Sequence, residues 1–382
     1  MKPVPHRGEP SWTVSSDRVA ARVTRRGGHL GPVRFRLPQG EIEPYSVAPW
    51  VGEKLPAGTP PLLRALRGDF FCAPFGGNGE AWRGEVHPPH GETANRAWRF
   101  DDLDEEGDRT ALRLFLRSRV RPGRVTKEIA LRRGETVLYC RHVLSGFSGP
   151  MCPGHHAMLR FPEAPGSGLV TTSPILHAQV LPVPFEDPAR GGYSALRPGA
   201  AFTRLDRVPR ADGGMADLGR YPARRGFEDL AMVVHEAAPD FAWTAVVFPK
   251  ERYVWFALKD PRVLRSTVLW MSNGGRHYAP WNGRHTGVLG LEDVTAYFHL
   301  GLAASARPNP VNRLGHPTAL RLDPERSLVV NYVMGVAAIP AGFDGVQAID
   351  RDAKGIVLLS RSGRRARAAL DPGFIHSTPS AP

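Results

Sequence analysis

Glycine and proline constrain this chain more than any other feature. Its 41 glycines and 37 prolines are spread along all 382 residues rather than pooled in a linker, and they cut it into segments too short for a helix-rich fold. Between the breaks, side chains alternate. In Ala111–Val120, Leu112, Leu114 and Leu116 stand against Arg113, Arg117 and Arg119, with only Phe115 out of step, which is the period-2 signal of a half-buried strand. Two further strands, Val125–Leu131 and Thr136–Leu144, follow around the tight turn Arg132-Arg133-Gly134-Glu135. The β-branched and aromatic runs LAMVVHEA, FAWTAVVFP, YVWFALKD and VLRSTVLWMS continue the pattern, as do GVLGLEDVTAY, SLVVNYVMGVAAI and KGIVLLSRS. Apolar spacing of helical period is never sustained, and Pro60–Arg67 predicts one short helix. The chain is therefore expected to be all-β, a large antiparallel sandwich of two packed sheets. Residues 1–20 read as an N-terminal extension, 21–369 as a single domain and 370–382 as a flexible tail.

Composition excludes several function classes. Hydrophobic residues at 42% and charged residues at 23% suit a globular chain with a sizeable core. The net charge of +13 comes almost wholly from scattered arginines, the lysines being only Lys2, Lys54, Lys127, Lys250, Lys259 and Lys354. That dispersion is not a phosphate-binding surface, so no nucleic-acid partner is expected. Cys72, Cys140 and Cys152 form no CxxC pair, the N-terminus has no apolar signal core, and no run of about 18 apolar residues could span a membrane. A reducing, cytoplasmic setting and a monomer or homodimer follow as expectations.

HExxH, P-loop, GxGxxG and GxSxG motifs are all absent, so chemistry must come from dispersed residues. Four stretches are unusual. HPPHGETANRAWRF (87–100) crowds His87, His90, Asn95, Arg96 and Trp98 behind the glycine-rich Gly76-Gly77-Asn78-Gly79; its plainer reading is a turn between strands. MCPGHHAMLRFPE places His155 and His156 side by side, where strand geometry sends them to opposite faces. A zinc site completed by His90 and His142 has no diagnostic spacing, and no metal is expected. FEDLAMVV opens with Glu228 and Asp229, a solvated pair in the plainer reading. In NGGRHYAPWNGRHTGVLGLEDVTAY, Trp281 and the cluster Arg276, His277, Arg284 and His285 lead to Glu292, whose apolar neighbours would raise its pKa towards that of a general base if it is buried.

In order and spacing these stretches resemble the galactose-mutarotase-like superfamily, which contains aldose 1-epimerases and hexose-6-phosphate epimerases. HGETANRAW is similar to the family's His-Gly segment, with His90, Gly91, Asn95 and Trp98 in place. The strand pair after it leads to the acid histidine, which the resemblance places at His156, with His155 as the alternative. FEDLAMVV resembles the segment supplying a substrate-contacting aspartate, Asp229, and GVLGLEDV the glycine-leucine-glutamate strand that carries the general base, Glu292. The likeness covers residues 60–335 and implies the β-supersandwich fold. The chain departs from the pattern in two places: His155 stands where the family has an asparagine, and the arginine the family supplies before the His-Gly segment has no clear counterpart, with Arg67, Arg83 and Arg96 as the candidate substitutes.

The resemblance implies mutarotation of a small carbohydrate with no cofactor. A base takes the proton of the anomeric hydroxyl and an acid protonates the ring oxygen, roles for Glu292 as carboxylate and His156 as imidazolium. His90, Asp229, Asn78, Asn95, His155 and Arg96 would bind hydroxyls, and Trp281, Trp98 or Phe75 would stack on the sugar. Two other functions compete: a non-catalytic sugar-binding or regulatory protein on the same fold, and a carbohydrate lyase or hydrolase using Tyr278 or Asp293. An epimerase requires Glu292 and His156 to face one pocket, on the order of 5 to 7 Å apart.

Overall fold

The structure, a computed structural model, describes residues 1–237 and 240–379. Two large antiparallel sheets carry the fold. The first has nine strands, with Leu328–Ala338 at its centre between Tyr253–Lys259 and Val137–Ser145, and Arg99–Glu106 and Arg220–Tyr221 at its edges. The second has eight and is built around Phe227–His235, Ser266–Asn273 and Val288–Val294, followed by Gly154–His155 and Phe71–Cys72. This is the all-β sandwich that the alternation predicts. The segment read as a half-buried strand is Arg109–Ser118, with Leu112, Leu114 and Leu116 buried.

The central strands read as unbroken apolar runs because both of their faces are covered. Ala231, Val233, Leu269, Leu289 and Leu291 pack against Trp255, Ala257 and Met334 of the facing sheet. Their neighbours Leu230, Met232, Val268 and Trp270 point the other way, under a cap built from residues 48–75 and 294–311. The opposite surface of the nine-stranded sheet is covered by Ile349, Ile356 and Leu358 of a three-stranded sheet, Val346–Asp352, Gly355–Ser360 and Arg365–Ala369.

Two expectations about the ends need correction. Residues 1–20 are no loose extension: Val4–His6 and Glu9–Ser15 are the first strands of a five-stranded sheet, and Trp12 and Val14 alternate into the main core. Within the expected tail, Pro372–His376 forms a 3-10 turn that buries Phe374 and Ile375, whereas 380–382 lie outside the described residues. Pro61–Ala65 is the predicted short helix.

Candidate active site

On the capped face of the eight-stranded sheet, Leu230, Trp270 and Glu292 floor a cavity of about 180 Å³. Cross-strand register fixes that grouping, since Leu230 lies opposite Trp270 and Val268 opposite Glu292, and directly opposed residues share a face. Gly290 precedes Glu292 on the same face and leaves the carboxyl its room, because a Cβ there would lie 2.7 Å from Glu292 Oε1. His156 enters from the segment joining Gly154–His155 to Ala157–Arg160, its ring stacked on Phe70 with centroids 4.4 Å apart. Its backbone N–H donates to Asp69 Oδ1 at 3.0 Å, while Asp69 Oδ2 meets His155 Nδ1 at 2.8 Å, so one buried carboxylate fixes both histidines.

Glu292 and His156 face one cavity, but they are in contact rather than a sugar ring apart: Nε2 and Oε1 are separated by 3.1 Å. Their charges also differ from the expectation. Burial raises the Glu292 carboxyl well above the ordinary carboxylate range and holds His156 down at about 3. Burial thus works against both charges and favours a carboxylic acid against a neutral imidazole over the ion pair. The neutral pair holds as many protons as the expected carboxylate and imidazolium, with one proton displaced along a short contact.

Three sequence doublets divide between the faces as strand alternation requires. His156 reaches the cavity, whereas His155 points between the sheets and stacks on Tyr332 at 4.2 Å. Glu292 reaches the cavity, whereas Asp293 pairs between the sheets with Lys259 and accepts from Tyr332 Oη at 2.6 Å. In the third doublet, Asp229 accepts the backbone N–H groups of Ala195 and Leu196 at 2.9 and 2.8 Å, away from the cavity. Its neighbour Glu228 lies on the cavity side, bonded by Trp270 Nε1 at 3.0 Å and Ser272 Oγ at 2.8 Å. Neither His155 nor Asp229 is therefore placed to touch a ligand there, and Asp293 cannot serve as a second cavity carboxylate.

The His-Gly segment contributes its histidine and, through its asparagines, the frame that holds it. His90 lines the cavity with its ring 4.9 Å from that of His156; its Nδ1 accepts from Gly76 N–H at 3.4 Å, which leaves Nε2 for a ligand. His90 and Gly91 both have left-handed backbone, φ 58° and 74°, and a Cβ on residue 91 would lie 2.3 Å from Ala73 O, so glycine is required. Asn95 ties this turn to the helix, donating to Pro89 O at 2.6 Å and accepting Leu62 N–H at 3.1 Å. Asn78 donates to Pro74 O, Gly76 O and Pro88 O and accepts Leu302 N–H, so all its polar capacity is spent on loops. Arg96 bonds Glu92 and Arg117 O outside the cavity, Arg67 is buried against Ala65 O and Arg7 O, and Arg83 lies over Trp82. Trp98 is in the main core, whereas Phe75 backs His90 at 4.9 Å and Trp281 lines the cavity.

The cavity's guanidinium is Arg276, which arrives from the opposite wall. It sits 4.6 Å over Trp281, and its Nε donates to Glu186 Oε1 at 2.6 Å. Burial works against its charge, but Glu228 and Glu186 outweigh that and raise its pKa. Trp270, Phe185 and His299 also line the cavity without having been singled out. Trp270 lay hidden in an apolar strand run and Phe185 in a loop, whereas Arg276 stood in a cluster already marked as unusual. Among the described residues no group of three or more His, Cys, Asp and Glu is arranged to hold a metal. Among the described residues no helix is long and apolar enough to cross a membrane. A larger open groove of about 750 Å³ near Glu43, Arg160 and Arg225 contains none of the residues singled out above.

No family model and no curated protein matches the sequence. Solved structures do match in shape. A proposed aldose 1-epimerase of Klebsiella pneumoniae has a TM-score of 0.59 at 15% identity, with 87% of this chain and 81% of that one covered. A proposed aldose 1-epimerase of Escherichia coli K12 has a TM-score of 0.57 at 15% identity over 87% of this chain and all of that one. A galactose mutarotase-like protein of Lactobacillus casei has a TM-score of 0.54 at 11% identity over 85% and 99%. Identities this low speak for architecture and not activity, and on that footing the chain has the galactose-mutarotase-like β-supersandwich fold.

Proposed function

We propose that the protein is a carbohydrate epimerase of the aldose 1-epimerase type, using Glu292 and His156 as its acid/base pair. The observation that carries this reading is their convergence in one largely apolar cavity beside Trp270, Trp281 and His90. Ring opening moves a proton off the anomeric hydroxyl and puts one on the ring oxygen, and closure on the other face reverses both transfers. A carboxylic acid and an imidazole in contact suit that exchange, because one delivers a proton while the other accepts one, and transfer across the 3.1 Å contact restores the pair without net charge. His90 Nε2 and Arg276 would hold hydroxyls, and the tryptophans would stack on the sugar's apolar face. The fold of the solved neighbours, two of them described as proposed aldose 1-epimerases, agrees with this assignment.

The same 3.1 Å contact favours a second reading, a sugar-binding protein whose acid and base are closed on each other. Polarimetry of freshly dissolved aldoses separates the two. An epimerase accelerates relaxation to the equilibrium anomer ratio and loses at least a hundredfold in His156→Gln, in the range typical of removing a general acid or base; a binding protein leaves relaxation at its spontaneous rate. Of the residues named for a lyase or hydrolase, Asp293 lies between the sheets and Tyr278 donates to Glu186 Oε2 at 3.0 Å without lining the cavity, so neither supports that alternative.

A further inference from the structure

The cavity's walls differ in a way that bears on what it takes in. The short helix and its flanks bring Pro60, Leu62, Leu63 and Leu66 to one side, held against the His90 turn by the bond from Leu62 N–H to Asn95. An ordinary hexose carries a hydroxyl on almost every carbon. A hydroxyl pressed on leucine gives up its water and receives no partner, whereas a methyl group gains from the same contact. A wall of this kind is therefore mismatched to a fully hydroxylated ring.

Charge points the same way. Arg276 is the lysine or arginine of the lining, and it is already shared between Glu186, bonded at 2.6 Å, and Glu228 on the floor side. Burial keeps His90, His156 and His299 neutral. A phosphate or carboxylate on the ligand would find only that guanidinium, already engaged by Glu186, and no second lysine or arginine in the lining to receive it.

We infer that the site takes an uncharged monosaccharide in which hydrogen or a methyl group replaces one or more of the usual free hydroxyls, a deoxy or O-methyl sugar. This rests on the carbohydrate-epimerase reading of the cavity. The test is a panel of galactose, glucose and mannose, each beside its 2-deoxy, 6-deoxy, 6-O-methyl and 6-phosphate forms, with anomer exchange measured by NMR. We expect at least one deoxy or O-methyl member to exceed its parent by about tenfold to a hundredfold in kcat/KM, with the phosphates slowest. Whether deoxy or O-methyl members lead identifies the source of the apolar group. Leu63→Gln, at a half-buried position that tolerates a polar side chain, should narrow or reverse the preference. Parents equal to or better than every derivative, or a phosphate as best substrate, would overturn the inference and leave the epimerase reading standing. If no sugar exchanges, the epimerase reading falls, and saturation-transfer-difference binding on the same panel decides: preference for a derivative upholds the ligand class, while parity or absence of binding overturns it.

Discussion

A single Cβ at residue 290 would reach within 2.7 Å of Glu292 Oε1 and 3.1 Å of Trp270 Cβ. The first of these atoms is the free end of a flexible side chain, so Gly290→Ala should leave the sheet intact while displacing the carboxyl. Circular dichroism and thermal melting near wild type, with anomer exchange slowed tenfold or more, is the expected result; unaltered exchange would show that the carboxyl's position is not critical. At this scale the sequence was informative about which residues matter and silent about which way they turn. Alternation requires that Glu228 and Asp229 point apart, but it does not say which faces the cavity, and that depends on Leu230 lying opposite Trp270. The resemblance pointed to Asp229, whose carboxyl caps the N–H groups of Ala195 and Leu196 instead, while burial raises it to about 6.

Loops, more than strands, set the shape of the cavity mouth. Asn78 pins residues 74, 76, 88 and 302 together, and Asn95 pins the His90 turn to the helix Pro61–Ala65. Asn78→Ala strands several buried backbone groups and should cost about 2–4 kcal/mol of stability in urea unfolding, on the footing of roughly one net kcal/mol per lost bond plus desolvation. Asn95→Ala frees the leucine wall relative to His90, and should raise KM several-fold with kcat less affected; equal effects on both would place its role in the chemical step. The polar character of 87–100 was plain in the sequence, and so was its glycine at 91. The function of its asparagines as ties was not, because their partners are carbonyls and amides brought near only by the fold. The two strands before residue 20 carry a weaker signal: Trp12 and Val14 alternate with Thr13 and Ser15, but over too few residues to stand out beside the flanking glycine and prolines.

The whole molecule buries an unusual set of titratable groups, and its stability should depend on pH accordingly. Burial holds His29, His156, His235 and His285 at about 3 and His299 at about 4, below the 6.5 of free imidazole. Below pH 6.5 the unfolded chain therefore takes up protons that the folded chain refuses, and stability falls as pH falls. Glu228 at about 7, Asp229 at about 6 and the raised Glu292 oppose this between their unfolded values and neutrality, since the folded form keeps their protons. The lowered imidazoles, which also include His90 and His142, outnumber the raised carboxyls, to which Glu9 and Glu135 add, and leave a net loss on acidification of about 1.4 kcal/mol per pH unit for each unmatched proton. The urea midpoint at pH 5 should lie clearly below that at pH 7.5, and a midpoint unchanged or higher at pH 5 would contradict these burial assignments. At this largest scale the sequence was most legible: alternation and punctuation indicated the two-sheet sandwich, whereas the sheets added at either end and the closure of Glu292 onto His156 depend on packing between distant segments. The central claim concerns that pair, and the most direct test is the rate of α/β interconversion of an aldose at equilibrium, measured by exchange NMR with wild-type protein and with Glu292→Gln at equal concentration. We predict acceleration by the wild type that disappears in the variant while its fold persists; equal acceleration by both, or none by either across a broad panel of sugars, would contradict the account.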